Sequence, residues 1–287
     1  MSKICIIGHG PAGISAAIYL KRSGLDPIVI GKDYGTYTED EILIENYYGF
    51  SKPISGKSLI LEGINQAKRL GIEIKTDAVL DLFDQGDSFK IVTLTQTLYA
   101  DAILLATGKR RESLKIPGAK KYIGKGISFC ATCDGFFYRR KKLAIIGNGP
   151  YMKQELEHLS RLSDDITVFT NQMPMHLDVN YPVIADKIIR FNGDTKITSI
   201  QTNNETYDVD GIFVAIGTPS SIDFAKKLGV ILNKNDLMVN EKYETNVPGL
   251  FAAGDVIGGK LQIAKAVYDG MMVAESMHQY LKNKSVK

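Results

Sequence analysis

Cys130 and Cys133 stand two residues apart in SFCATCDGFFYRRKK (residues 128–142), with Asp134 beside the second thiol and four cations, Arg139 to Lys142, closing the stretch. Such a pair can hold a metal, lock a loop or shuttle electrons. A zinc site needs about four ligands, and the rest of the chain offers only Cys5, inside an apolar strand, and four scattered histidines; no metal is expected. A purely bracing disulfide suits a secreted protein. Here MSKICIIG enters a strand at once, with no room for a signal peptide, so a reducing, cytoplasmic compartment is expected. Redox exchange suits the spacing. CxxC closes a small ring, so its oxidised and reduced forms interconvert without refolding.

Charge is unevenly placed. The 287 residues carry a formal net charge of +3, too small to imply nucleic acid. Residues 109–142 hold eleven lysines and arginines against Glu112 and Asp134, a local +9 that leaves −6 for the remainder. Any one of these charges reads most plainly as part of a solvated face. Together they bracket the thiols, which predicts a positive field suited to an acidic protein partner. Mean hydropathy is near zero, and no apolar run reaches the ~18–20 residues of a membrane span.

Two strand–turn–helix units must position the thiols. KICIIG is an apolar strand running into GHGPAG (Gly8, Gly10, Gly13), then the helix PAGISAAIYLKRSG and the strand DPIVIG. Such a turn offers backbone N–H groups to a pyrophosphate. Gly10 lets the ligand approach, and Gly13 lets helix and strand pack closely. The acid expected at the end of the second strand to hold a ribose is Gly31, with Asp33 as stand-in.

A similar unit recurs at residues 143–169: LAIIG, GNGPYM, a helix through residues 150–162 and the strand ITVFT. Its third glycine position is Met152, whose side chain is expected to wedge helix from strand. Pro150 removes an N–H donor. TNQMPM, after the strand, has neither a carboxylate for a ribose 2′-hydroxyl nor arginines for a 2′-phosphate. This unit reads as a Rossmann scaffold without its nicotinamide nucleotide site.

LYADAILLATG (residues 98–108) and YDVDGIFVAIG (residues 207–217) read as strands ending in glycine. TNVPGLFAAGDV (residues 245–256) reads as a strand ending at Asp255, and KLQIAKAVYDGMMVAESMHQYL as an amphipathic last helix. The expected fold class is α/β, with two nested Rossmann-like domains, the second inserted into the first. The expected boundaries are 1–109, 110–238 and 239–287.

CATCDG after an ATG strand end, GHGPAG at the start and LFAAGD near the end together resemble the low-molecular-weight thioredoxin reductases, over essentially the whole chain. The resemblance implies FAD in the outer domain and the CxxC in an inserted domain that binds NADPH in the family. It places Gly8, Gly10, Pro11, Ala12 and Gly13 at the FAD pyrophosphate, Asp33 at the ribose, Asn46 in the flavin-side segment, and Thr107 and Gly108 at the ATG turn. Gly254 and Asp255 would lie on the ribityl chain, with Gln262 and Ile263 beside the flavin ring. His9 would face the flavin edge or solvent; Tyr151 either starts its helix or covers the flavin. A homodimer and a thioredoxin partner are implied by the same resemblance.

The departures gather at the donor site, where GNGPYM and TNQ replace the family's second nucleotide motif and its basic cluster. KDYGTYTEDE replaces the glycine-rich stretch before the flavin-side segment, and the chain is shorter than is usual for the family. These features are similar to the thioredoxin reductases that do not use pyridine nucleotides, whose best-known members take electrons from ferredoxin. By resemblance, Cys133 is the flavin-proximal thiol, Cys130 attacks the partner's disulfide, and Asp134 moves protons. The expected path runs from ferredoxin through FAD and Cys130–Cys133 to thioredoxin. Three alternatives stay open: a related disulfide oxidoreductase with another donor or a second flavin, a conventional NADPH-dependent thioredoxin reductase, and a flavin redox sensor without turnover.

Overall fold

Apolar runs without alternation, ICII, AILL, LAII and GIFV, become strands buried along their whole length, the pattern of a parallel sheet covered on both faces. The structure, a computed structural model, describes residues 3–32, 43–108 and 116–284, apart from the side chains of Thr132 and Cys133. Asp33, the basic residues from Lys109 to Lys115 and the Cys133 thiol therefore lie outside the described residues. Seven α-helices are present among the described residues: α1 (Pro11–Arg22), α2 (Gly56–Arg69), α3 (Ala119–Tyr122), α4 (Ala131–Asp134), α5 (Pro150–Leu159), α6 (Ser221–Lys227) and α7 (Ile263–Lys284).

The chain divides into two compact units, Met1–Arg111 with Ser220–Lys287, and Glu112–Pro219. In the first, five parallel strands lie in the order Leu250–Ala252, Ala102–Leu105, Ile4–Ile7, Pro27–Gly31, Glu73–Thr76. In the second the order is Ile127–Ser128, Gly211–Val214, Leu143–Ile146, Ile166–Phe169, Val183–Ile184, again all parallel. Each unit also carries a three-stranded antiparallel sheet, so the repetition seen in the two glycine turns extends to a whole domain plan. Two Rossmann-like α/β units, one interrupting the other in chain order, match the expected class.

The second boundary differs from expectation. Residues 220–238 belong to the first unit, not to the insertion. Ser220 and Asp223 form a reciprocal capping box that starts α6. Phe224, Ala225, Val230 and Leu237 then enter the core that holds Ile7 and Ile103. The buried Lys227–Asp81 ion pair (3.3 Å) ties α6 to the strand Val79–Asp84. Cys5 is a core residue as expected, and burial pushes its thiol up to about 12.

Candidate active site

Three adjacent parallel strands of the first unit end side by side. Their continuations are Gly8, Ala106–Gly108 and Ala253–Asp255, linked by the Ala106 N–H to Ile7 carbonyl (2.8 Å) and Ala253 N–H to Leu105 carbonyl (3.1 Å) bonds. This carboxy-terminal edge is where ligands of such folds sit. Gly8 has φ 113°, and a Cβ there would lie 2.3 Å from the Ala106 oxygen. A Cβ on Gly13 would lie 1.9 Å from the Gly8 oxygen, so only glycine lets α1 start this close to the turn. Gly10, the residue before Pro11 and α1, would place a Cβ in open space. Two glycines thus serve packing and the third leaves an approach to the helix N-terminus, where backbone N–H groups favour an anion.

Gly254 (φ 81°) backs onto Ala12, with an added Cβ 2.9 Å from that methyl, which brings Gly254–Asp255 to the start of α1. The turn is held from behind by Asp269 of α7, buried at 3 % exposure. Its carboxylate accepts the Gly254 N–H (3.1 Å) and the Tyr243 hydroxyl (3.0 Å), and pairs with Lys265 (2.7 Å). Lys265 also donates to the Gly254 and Gly258 carbonyls. Burial, then the bond to Asp269, holds the Tyr243 hydroxyl well above its usual range. Sequence reading missed this clamp, although an acid on the apolar face of α7 was its visible trace.

Asn46 donates to Gln262 (3.1 Å), joining two expected site residues from distant parts of the chain just ahead of Ile263, where α7 begins. The Thr107 hydroxyl meets Ser221 of α6 at 2.7 Å, with Gly108 (φ 69°) following. His9 does not face solvent. It is buried, and a Cβ on Gly31 would lie 2.0 Å from its ring. The imidazole thus fills the space into which an acid at position 31 would project, which accounts for the glycine there.

In the second unit, a Cβ on Gly147 would meet the Ala215 oxygen at 2.3 Å and the Met152 Cβ at 2.8 Å. Met152 is fully buried at the third glycine position, between α5 and the turn. The Asn148 amide donates to the Pro174 carbonyl (2.7 Å), so the segment after the strand Ile166–Phe169 is bonded to the glycine turn itself. Tyr151 is buried and donates to the Phe129 carbonyl (3.2 Å), tying α5 to the dithiol segment.

That segment leaves the carboxy-terminal end of the strand Ile127–Ser128. The Ser128 hydroxyl accepts the Cys130 N–H (3.1 Å) and donates to Asp134 (2.7 Å). The Ala131 N–H donates to the buried Glu155 carboxylate of α5 (2.7 Å). Cys130 is disulfide-bonded and buried, while Cys5 is free. Burial, and then the Asp134 charge, raises the Tyr138 hydroxyl above its usual value. Phe136 and Phe137 follow, 69 % and 74 % exposed.

Lys125 and Arg139–Lys142 do not surround Cys130. Strand register sets Ser128 level with Ile145, so Cys130 is about level with Gly147, while Lys125 and Arg139–Lys142 precede the strands. Five residues at ~3.3 Å each separate the two ends of the sheet by roughly 16 Å. Lys125 and the Arg139–Lys142 run that follows the thiols in sequence thus lie at the opposite end of this sheet from Cys130.

The chain matches the model of the pyridine nucleotide-disulphide oxidoreductase family over residues 2–275. It belongs to that family. Thioredoxin reductases of Listeria monocytogenes and Listeria innocua are 29 % and 30 % identical to it, over 97 % of this chain and 93 % of theirs. The crystal structure of the atypical thioredoxin reductase TRi from Desulfovibrio vulgaris Hildenborough is similar with a TM-score of 0.89 and 35 % identity, over 99 % of both chains. A ferredoxin-flavin thioredoxin reductase from Clostridium acetobutylicum is similar with a TM-score of 0.65 and 29 % identity, over 100 % of this chain and 99 % of that one. The chain is a flavoprotein disulfide oxidoreductase of the thioredoxin reductase type, with FAD as its cofactor. For this pyridine nucleotide-disulphide oxidoreductase, the open approach at Gly10 fits a dinucleotide's pyrophosphate. The second turn shares an open second glycine, Gly149, and a proline at the helix start, and differs in Met152 at the third glycine position and in the Asn148 bond to Pro174.

Proposed function

We propose that this thioredoxin reductase takes electrons from a ferredoxin or similar low-potential carrier, not from NADPH, and passes them through FAD and the Cys130–Cys133 disulfide to thioredoxin. The observation that carries the donor assignment is the second glycine turn, where Met152 fills the third glycine position and Asn148 holds Pro174 across the turn. The likeness to a protein described as a ferredoxin-flavin thioredoxin reductase supports it.

In this reading Gly8, Gly10, Pro11, Ala12 and Gly13 hold the FAD pyrophosphate and Asp33 its ribose. Thr107, Gly108, Gly254 and Asp255 line the rest of the cofactor, and Asn46, Gln262 and Ile263 flank its ring. When bound, FAD supplies a store for two electrons that one-electron donors can fill in turn. Cys133 receives the pair, and the Cys130–Cys133 bond opens to two thiols. The Cys130 thiolate attacks the partner's disulfide, forming a mixed disulfide and releasing one partner thiol. Cys133 then attacks Cys130, which releases the second partner thiol and restores the ring. Asp134, oriented by Ser128, carries the proton for these steps. The exposed Phe136 and Phe137 give the partner apolar anchors beside the thiols.

The protein acts as a homodimer in the cytoplasm in this reading; among the described residues no helix is long and apolar enough to cross a membrane. The test is anaerobic. With FAD-loaded protein, photoreduced ferredoxin is expected to generate thioredoxin thiols catalytically, two ferredoxins being oxidised for each disulfide. Ferredoxin that stays reduced while thioredoxin stays oxidised would refute the assignment.

A further inference from the structure

We propose that Glu155 is a positioning residue that sets the acidity of the Cys130 thiol by taking the first N–H of the dithiol helix. Backbone N–H groups left free beside a cysteine favour its thiolate. Here Cys130 directly precedes α4, and the Ala131 N–H is given to Glu155 at 2.7 Å. Glu155 is 1 % exposed and Cys130 equally buried, so little water screens one from the other. The bond occupies the backbone donor that follows Cys130 and fixes a buried carboxylate on the adjoining residue. Both effects keep Cys130 protonated until a base removes its proton.

The elements packed most closely against α4 are α5 and the turn Gly135–Tyr138. Their titratable groups are Tyr151, Lys153, Glu155, Glu157 and His158 on α5, and Tyr138 in the turn; α4 itself carries Asp134. Lys153 and Glu157 are exposed, and Asp134 is held by Ser128 at the far end of α4. Glu155 is the carboxylate bonded to the backbone adjoining Cys130. α5 begins at the second glycine turn, and its Tyr151 and Glu155 hold the dithiol segment.

The inference rests on reading Cys130 as the exchanging thiol, but its test needs neither ferredoxin nor thioredoxin and so fails separately from the donor assignment. In FAD-loaded protein carrying Cys133→Ser, the pH dependence of iodoacetamide alkylation at Cys130 is read by peptide mass spectrometry. Glu155→Gln can still accept the Ala131 N–H without the charge, and Glu155→Met removes the charge with an apolar side chain of similar volume. Each is expected to lower the alkylation midpoint by about one pH unit, which makes alkylation roughly tenfold faster below both midpoints. Midpoints that coincide with that of the Glu155 protein, or move upward, overturn the proposal.

Discussion

Cys130→Ser is expected to cut thioredoxin turnover by about three orders of magnitude or more while leaving the flavin reducible by ferredoxin. A serine oxygen neither closes the ring with Cys133 nor forms a mixed disulfide with the partner. Apart from Cys133, which has then lost its ring partner, the remaining thiol is Cys5, in the core of the first unit and pushed up to about 12. Cys133→Ser is expected to stop turnover too, at a different point. Cys130 can still attack, so the partner accumulates as a mixed disulfide that non-reducing electrophoresis resolves. Normal turnover in Cys130→Ser would remove the dithiol from the electron path.

Gly13→Ala is expected to yield colourless, destabilised protein. Its methyl would lie 1.9 Å from the Gly8 oxygen, so α1 must move by more than an ångström from the turn. That helix cannot move alone. α7 packs against it so closely that a Cβ on Gly270 would sit 2.2 Å from the Ala12 oxygen, and Ser15 donates to the Val267 carbonyl at 2.7 Å. Overpacking at such a junction costs about 2–4 kcal/mol. Gly10→Ala is the informative contrast. Its methyl meets no protein atom within 4 Å, so the fold is expected to keep its melting temperature while FAD affinity falls. Undiminished FAD retention in Gly10→Ala, read from flavin absorbance after gel filtration, would contradict the placement of the pyrophosphate at this turn.

Local chemistry was the legible part of this molecule. GHGPAG states its own backbone demands within six residues, and the unbroken apolar strands announce a parallel sheet before any contact is known. Contacts across the sequence were not legible. His9 over Gly31 explains the missing ribose acid, yet the two are separated by a helix and a strand. The boundary near residue 219 was written in Ser220 and Asp223, a local capping signal that the strand-and-glycine reading passed over. The Arg139–Lys142 part of the cationic stretch lies away from Cys130 for a physical reason. Neighbours in sequence need not be neighbours in space when the intervening residues run the length of a sheet. Tyr151 was ambiguous until its hydroxyl was found on the Phe129 carbonyl.

The most direct measurement is an anaerobic titration of the FAD-loaded protein with NADPH, followed by flavin absorbance and repeated with reduced ferredoxin. The expected result is an oxidised flavin spectrum that NADPH leaves intact and ferredoxin bleaches. Prompt bleaching at micromolar NADPH would show that the second turn accepts a nicotinamide after all.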